Sequence, residues 1–172
     1  MNDRTSVRLL CITALLMAMN VVLSSFGVPV PGGKMYLNDI IVCIAAILLP
    51  PFWAFMVGGV GAFLGDFFFY PAPMFVSLVV HGLQAVIISL FSHRPAGERR
   101  VFMSSVGTAL GAVLMVVGYT LGRAYIYSTP EYAVMKLPFQ ILQAVVGGVV
   151  ALLLCWRYGL VDMFENFLNK RG

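Results

Sequence analysis

Prolines, glycines and short polar stretches divide this chain into six apolar runs, at roughly 8–26, 37–50, 51–69, 73–92, 101–127 and 133–157. A membrane-spanning helix needs about 20 predominantly apolar residues, so runs of this length leave room for little else. With 60% hydrophobic and 10% charged residues and a mean hydropathy of +0.94, the chain lies far from soluble globular composition. We therefore expect an all-α membrane protein, residues 1–172 forming a single domain, a compact bundle of six transmembrane helices with a short cytoplasmic tail at 158–172. The second run is short and ends at Pro50-Pro51, where the chain must turn at once. That predicts a tight hairpin with a shortened or tilted second helix.

Basic residues set the expected orientation. Arg4, Arg8, Arg94, Arg99, Arg100, Arg157, Lys170 and Arg171 fall on one side, and Lys34, Arg123 and Lys136 on the other. By the positive-inside rule both termini are expected in the cytoplasm and the protein in the cell membrane. The first run is read as a span rather than a cleaved signal, because it continues beyond a signal-length core without a cleavage site in context.

Small residues predict where helices approach closely. Ala14 and Ala18 mark the first run; Gly58, Gly61 and Gly65 the third; Gly107, Gly111, Gly118 and Gly122 the fifth; Gly147 and Gly148 the sixth. Spacing by four puts such residues on one helix face, where backbones can meet. Cys11, Cys43 and Cys155 match no metal or redox spacing and are read as small buried residues. No GxxxxGK(S/T) phosphate loop occurs, so if the protein moves something uphill, the energy is expected from a partner or an ion gradient. Neither a catalytic constellation nor a metal signature emerges. We expect no enzyme and no cofactor held by this chain.

Polar groups inside hydrocarbon are expensive, so they usually face a cavity, a partner or a ligand. They concentrate around GAFLGDFFFYPAPMFVSLVVHGLQA, residues 61–85, where Asp66 closes one run and His81 and Gln84 lie within the next. With the expected topology, Tyr36, Asn38 and Asp39 also lie in the outer half, together with Tyr119 and Arg123, which are four apart. Lys136, Gln140 and Gln143 occupy one face of the sixth run and descend about 10 Å into the bilayer at 1.5 Å per residue. A polar stripe that stops halfway suggests a pocket rather than a channel. Quieter roles exist for several members. Asp39 can serve the start of the second helix, Asp66 and Arg123 can neutralise each other, Arg123 and Lys136 can snorkel to the interface, and His81 can make an interhelical hydrogen bond.

Ala14-x-x-x-Ala18, LND at 37–39, LGDFFFYPAP at 64–73 and MFVSLVVHGLQA at 74–85 together resemble the substrate-binding S components of energy-coupling-factor (ECF) transporters, which take up vitamins. The resemblance implies an outward-facing vitamin pocket closed by the first long loop and lined by helices four to six. It also implies delivery by association with a membrane coupling protein and two cytoplasmic ATPases, which would use the ATP, with Ala14 and Ala18 packing against the coupling protein. The vitamin is left open. Arg123 and Lys136 suit a carboxylate or an oxygen-rich substrate such as pantothenate, to which the reading leans. Tyr36 and Tyr119 suit a flat ring such as pyridoxine or hydroxymethylpyrimidine. An autonomous ion- or proton-coupled carrier using Asp66 and His81, or a purely structural subunit, are the competing functions.

Overall fold

Leu49 is extended and Pro50 precedes the next helix directly, so one helix ends and another begins with no loop between them. The computed structural model describes residues 3–93 and 100–169. Helix α1 spans Asp3–Ser25, a hairpin follows with strands β1 Gly27–Val30 and β2 Gly33–Tyr36, and α2 covers Asn38–Leu48. Then come α3 Pro51–Phe69, α4 Met74–Ser92, α5 Arg100–Tyr127, α6 Pro130–Arg157 and α7 Leu160–Asn169. Of the charges used for orientation, Arg94, Arg99, Lys170 and Arg171 lie outside the described residues.

The sequence led us to expect six spans. Five helices, α1, α3, α4, α5 and α6, are long and apolar enough to cross a membrane, whereas the second run folds as the 11-residue α2. At 1.5 Å per residue α2 is about 16 Å long, roughly half a bilayer core. All of its residues except Ile40 are buried, so it forms the centre of the bundle, enclosed by α1, α3, α4 and α6. Outward faces of the long helices remain apolar, as at Leu10, Leu15 and Val22 on α1, or Val113, Val117 and Leu121 on α5; Cys11, expected to be buried like Cys43 and Cys155, is exposed on α1. A helix that is hydrophobic all round belongs in lipid or in a core, and not at a water-facing surface.

The glycines of α5 explain its closeness to α4. A Cβ at Gly111, Gly118 or Gly122 would come within 2.8, 2.7 and 2.7 Å of Ile88, Val80 and Val76. Bare backbone there lets the two helices meet, which brings Tyr119 against the α4 residues Ser77 and His81. Helices α3, α5 and α6 each contain a π turn, at Met56–Val60, Arg123–Tyr127 and Leu153–Arg157. A π turn releases backbone groups from the regular ladder. In α3, the carbonyl of Val57 receives the Asn20 side-chain amide at 2.7 Å.

The stretch after α1, expected as a loop, is an antiparallel hairpin that pairs Gly27 with Tyr36 and Val30 with Gly33. Its turn needs glycine: Gly32 has φ +80°, and a Cβ there would lie 2.8 Å from the Lys136 backbone nitrogen. The hairpin tip therefore rests directly on the start of α6. The expected tail at 158–172 contains helix α7, held at the other end of the bundle. There Arg8 donates to the carbonyls of Phe167 and Leu168 at 3.0 and 3.2 Å, and Arg100 pairs with Glu165 at 2.8 Å.

Candidate functional site

Beneath the hairpin lies a cavity of about 320 Å³, within the range of small-molecule sites. Pro29, Gly32, Gly33, Lys34 and Tyr36 form its roof. Asn38 and Ser24 come from α2 and α1, Ala62 and Asp66 from α3, His81 from α4, Tyr119, Arg123 and Tyr127 from α5, and Lys136, Gln140 and Gln143 from α6. Tyr70, Pro73 and Ser128 complete the wall from the connections. Several helices thus converge on one concave space, in whose wall four tyrosines stand among polar side chains.

On the α3–α4–α5 side, Ser77 connects two cavity residues. Its hydroxyl donates to the Asp66 carboxylate and accepts the Tyr119 hydroxyl at 2.5 Å. Tyr119 also meets the His81 ring edge-on, with centroids 5.2 Å apart. The α5 π turn carries Arg123, whose guanidinium lies 5.6 Å from the Tyr127 ring centre. The expected alternative in which Asp66 neutralises Arg123 does not occur, because Asp66 is engaged by Ser77 and Arg123 stacks on Tyr127.

On the α6 side, Lys136 donates to the Lys34 backbone carbonyl and approaches the Tyr36 ring at 6.0 Å. Gln143 Oε1 accepts the Tyr36 backbone N–H at 3.1 Å, and Gln140 Nε2 meets Met115 Sδ at 3.1 Å. Arg123 and Lys136 are only 9% and 3% exposed, so neither snorkels to an interface. Among the described residues neither is ion-paired with a carboxylate. Burying cations without a directly paired carboxylate is costly, and strong oxygen acceptors in the cavity would offset that cost. Burial, followed by the nearby Asp66 carboxylate, pushes the Tyr36 hydroxyl up to about 12 from its ordinary 10.0.

Asn38, Tyr36, Asp66, His81, Tyr119, Arg123, Lys136, Gln140 and Gln143, singled out from sequence, all line this cavity. Asp39 and Gln84 do not. They lie behind its floor, where Gln84 Nε2 donates to Asp39 Oδ1 at 3.0 Å. Asp39 occupies the first turn of α2 without capping it, and His81 bonds to Gln84 on its own helix, at 2.7 Å, rather than across helices. Sequence reasoning missed Ser77, Tyr70 and Tyr127, and it expected the covering segment as a loop rather than a hairpin. A signal existed for two of them, since Ser77 precedes His81 by four residues and Tyr127 follows Arg123 by four, the spacing of one helix face.

A family model described as ECF-type riboflavin transporter, S component, matches residues 4–159. The chain belongs to that family. As an S component it is the substrate-binding subunit of a membrane transporter, with a small-molecule substrate and an ECF module as partners. A curated relative from Pyrococcus woesei, described as an uncharacterized protein in the gap 3′ region, is 35% identical over 125 residues, 72% of this chain and 82% of its own length. A solved structure reported as the structure and mechanism of the S component of a bacterial ECF transporter has the same fold. It matches with a TM-score of 0.67 at 18% identity, covering 96% of this chain and 99% of that one.

In this S component, Ala14 and Ala18 both lie on an exposed face of α1, beside the exposed Leu15 and Met19.

Proposed function

We propose that this S component is the high-affinity vitamin-binding subunit of an ECF-type importer in the cell membrane. Its chain is embedded as six helices, the short α2 included, with both termini in the cytoplasm. The outer cavity is the binding site, and the hairpin closes it. A membrane coupling protein packs against Ala14 and Ala18, and two ATPases power delivery. The observation that carries this reading is the cavity itself, which gathers polar side chains from every membrane-embedded helix at one end of a predominantly apolar bundle.

Riboflavin is the substrate we favour. The description of the family supports it, and so does the wall, where Tyr36, Tyr70, Tyr119, Tyr127 and His81 offer flat faces to a heteroaromatic ring. Asn38, Gln140, Gln143, Arg123 and Lys136 can bond ring carbonyls and hydroxyls. Pantothenate, the lean from sequence, is the second reading, and the unpaired Arg123 and Lys136 favour it because they would receive its carboxylate.

Uptake into proteoliposomes separates a binding subunit from an independent carrier. The S component alone should accumulate no vitamin after a pH step, and should support uptake once the coupling protein, the ATPases and ATP are supplied. Accumulation by the solitary protein, driven by a proton gradient, would instead make it an ion-coupled carrier.

A further inference from the structure

Three buried polar side chains run in a fixed order from the cavity wall to behind its floor. Asp39, Gln84 and His81 are 1%, 1% and 3% exposed. Gln84 Nε2 donates to Asp39 Oδ1 at 3.0 Å, and Gln84 Oε1 lies 2.7 Å from His81 Nδ1. A carboxylate offers only acceptors, so the amide must turn its NH2 toward Asp39 and its oxygen toward the histidine. That oxygen also only accepts, so the proton of the pair sits on Nδ1. Asp39 Oδ1, 3.8 Å from the same nitrogen, acts in the same sense. Neutral Gln84 stands between ring and carboxylate, so the bonding requires no charge on His81.

A neutral imidazole with its proton on Nδ1 leaves Nε2 as an acceptor. His81 lines the cavity, and among the described residues no protein group bonds its Nε2. We propose that Asp39 and Gln84 are positioning residues that hold His81 in the Nδ1–H tautomer, so that Nε2 accepts a hydrogen bond from an N–H or O–H group of the substrate. The α5 and α6 parts of the wall carry the cations Arg123 and Lys136, which can only donate. The cavity therefore has a hydrogen-bonding polarity. It takes a substrate whose donor-bearing end, such as an imide N–H, meets α4 while its oxygen-rich end meets α5 and α6. This rests on the outer cavity being the substrate site.

The test is nitrogen NMR of the full chain labelled with 15N-histidine in lipid nanodiscs, with His93→Gln assigning the one other histidine. Ligand-free His81 should show a protonated Nδ1 and a bare Nε2, and saturating riboflavin should shift Nε2 while leaving Nδ1 nearly still. Gln84→Met should give a mixture of tautomers and weaken riboflavin binding about 3- to 10-fold, the loss of one neutral hydrogen bond. Asp39→Asn replaces an acceptor-only group by an amide that can also donate, so it should release the Gln84 orientation and give the same mixture of tautomers with similarly weakened riboflavin binding; a parent-like spectrum in Asp39→Asn would remove Asp39 from the positioning pair. An Nε2–H or doubly protonated His81 in the ligand-free protein overturns the proposal, even if Gln84→Met fails to fold. So does riboflavin that saturates the protein without moving Nε2. If riboflavin fails to bind at all, the substrate assignment falls, while the ligand-free spectrum still decides the tautomer.

Discussion

Tyr36 donates its backbone N–H to Oε1 of Gln143 at 3.1 Å, which ties the hairpin roof to the middle of α6 across the cavity. Replacing Gln143 by leucine keeps the size of the side chain and removes that bond. Ligand should then leave faster, with affinity falling about 2- to 12-fold and most of the change in the dissociation rate. Stopped-flow release of bound riboflavin measures this. An unchanged release rate would mean that the hairpin is held shut by other contacts.

Lys136 combines burial, a positive charge and a place in the cavity wall. Lys136→Ala should reduce substrate affinity roughly 10- to 150-fold, as expected for a desolvated charged hydrogen bond, while membrane insertion is unaffected. Gln140→Ala, which removes a neutral group, should cost less. Isothermal titration of both variants checks the order; parent-like affinity in both would remove the α6 stripe from the site.

The polar half of the site was legible in the sequence because hydrocarbon makes every buried polar residue conspicuous. Lys136, Gln140 and Gln143 announced one face of α6, and Arg123 and Tyr119 one face of α5. Tyrosines and serines stand out less, since they occur throughout membrane helices, and so Tyr127 and Ser77 were passed over. Which polar residues touch the cavity and which stand behind it depends on helix rotation, and sequence spacing does not set this for Asp39 and Gln84. The second run is short in the sequence and ends at Pro50-Pro51, and the eleven residues of α2 are that shortened helix; its burial at the centre of the bundle is what run length alone does not reveal.

The raised ionisation of Tyr36 carries a sign. Its hydroxyl titrates near 10.0 in the unfolded chain and at about 12 in the fold, so the folded state holds the proton more tightly. The neutral hydroxyl therefore contributes stability that is fully present below pH 10 and is lost as pH rises through about 12. Unfolding scans from pH 9 upward should show a steeper alkaline decline in the parent than in Tyr36→Phe. Parallel declines would mean that Tyr36 is solvated in the native protein.

Ala14 and Ala18 lie exposed on α1, away from the cavity wall. Ala14→Trp or Ala18→Trp should leave the fold and the vitamin affinity of the solitary protein nearly unchanged. The same substitutions should abolish ATP-dependent uptake by the assembled complex, because a bulky side chain keeps a partner helix from close approach. If binding and uptake fall together, the alanines serve the internal structure and not the partner.

Equilibrium binding of riboflavin and pantothenate to the purified full chain, alongside a Gln140→Trp variant that fills the cavity, tests the vitamin site most directly. Riboflavin should bind the parent at one molecule per chain, and at a hundred times its dissociation constant should raise the unfolding free energy by about 2.7 kcal/mol. Gln140→Trp should fold and fail to bind. Binding that survives with Gln140→Trp, or a parent protein that neither vitamin binds or stabilises, would contradict a vitamin site in this cavity.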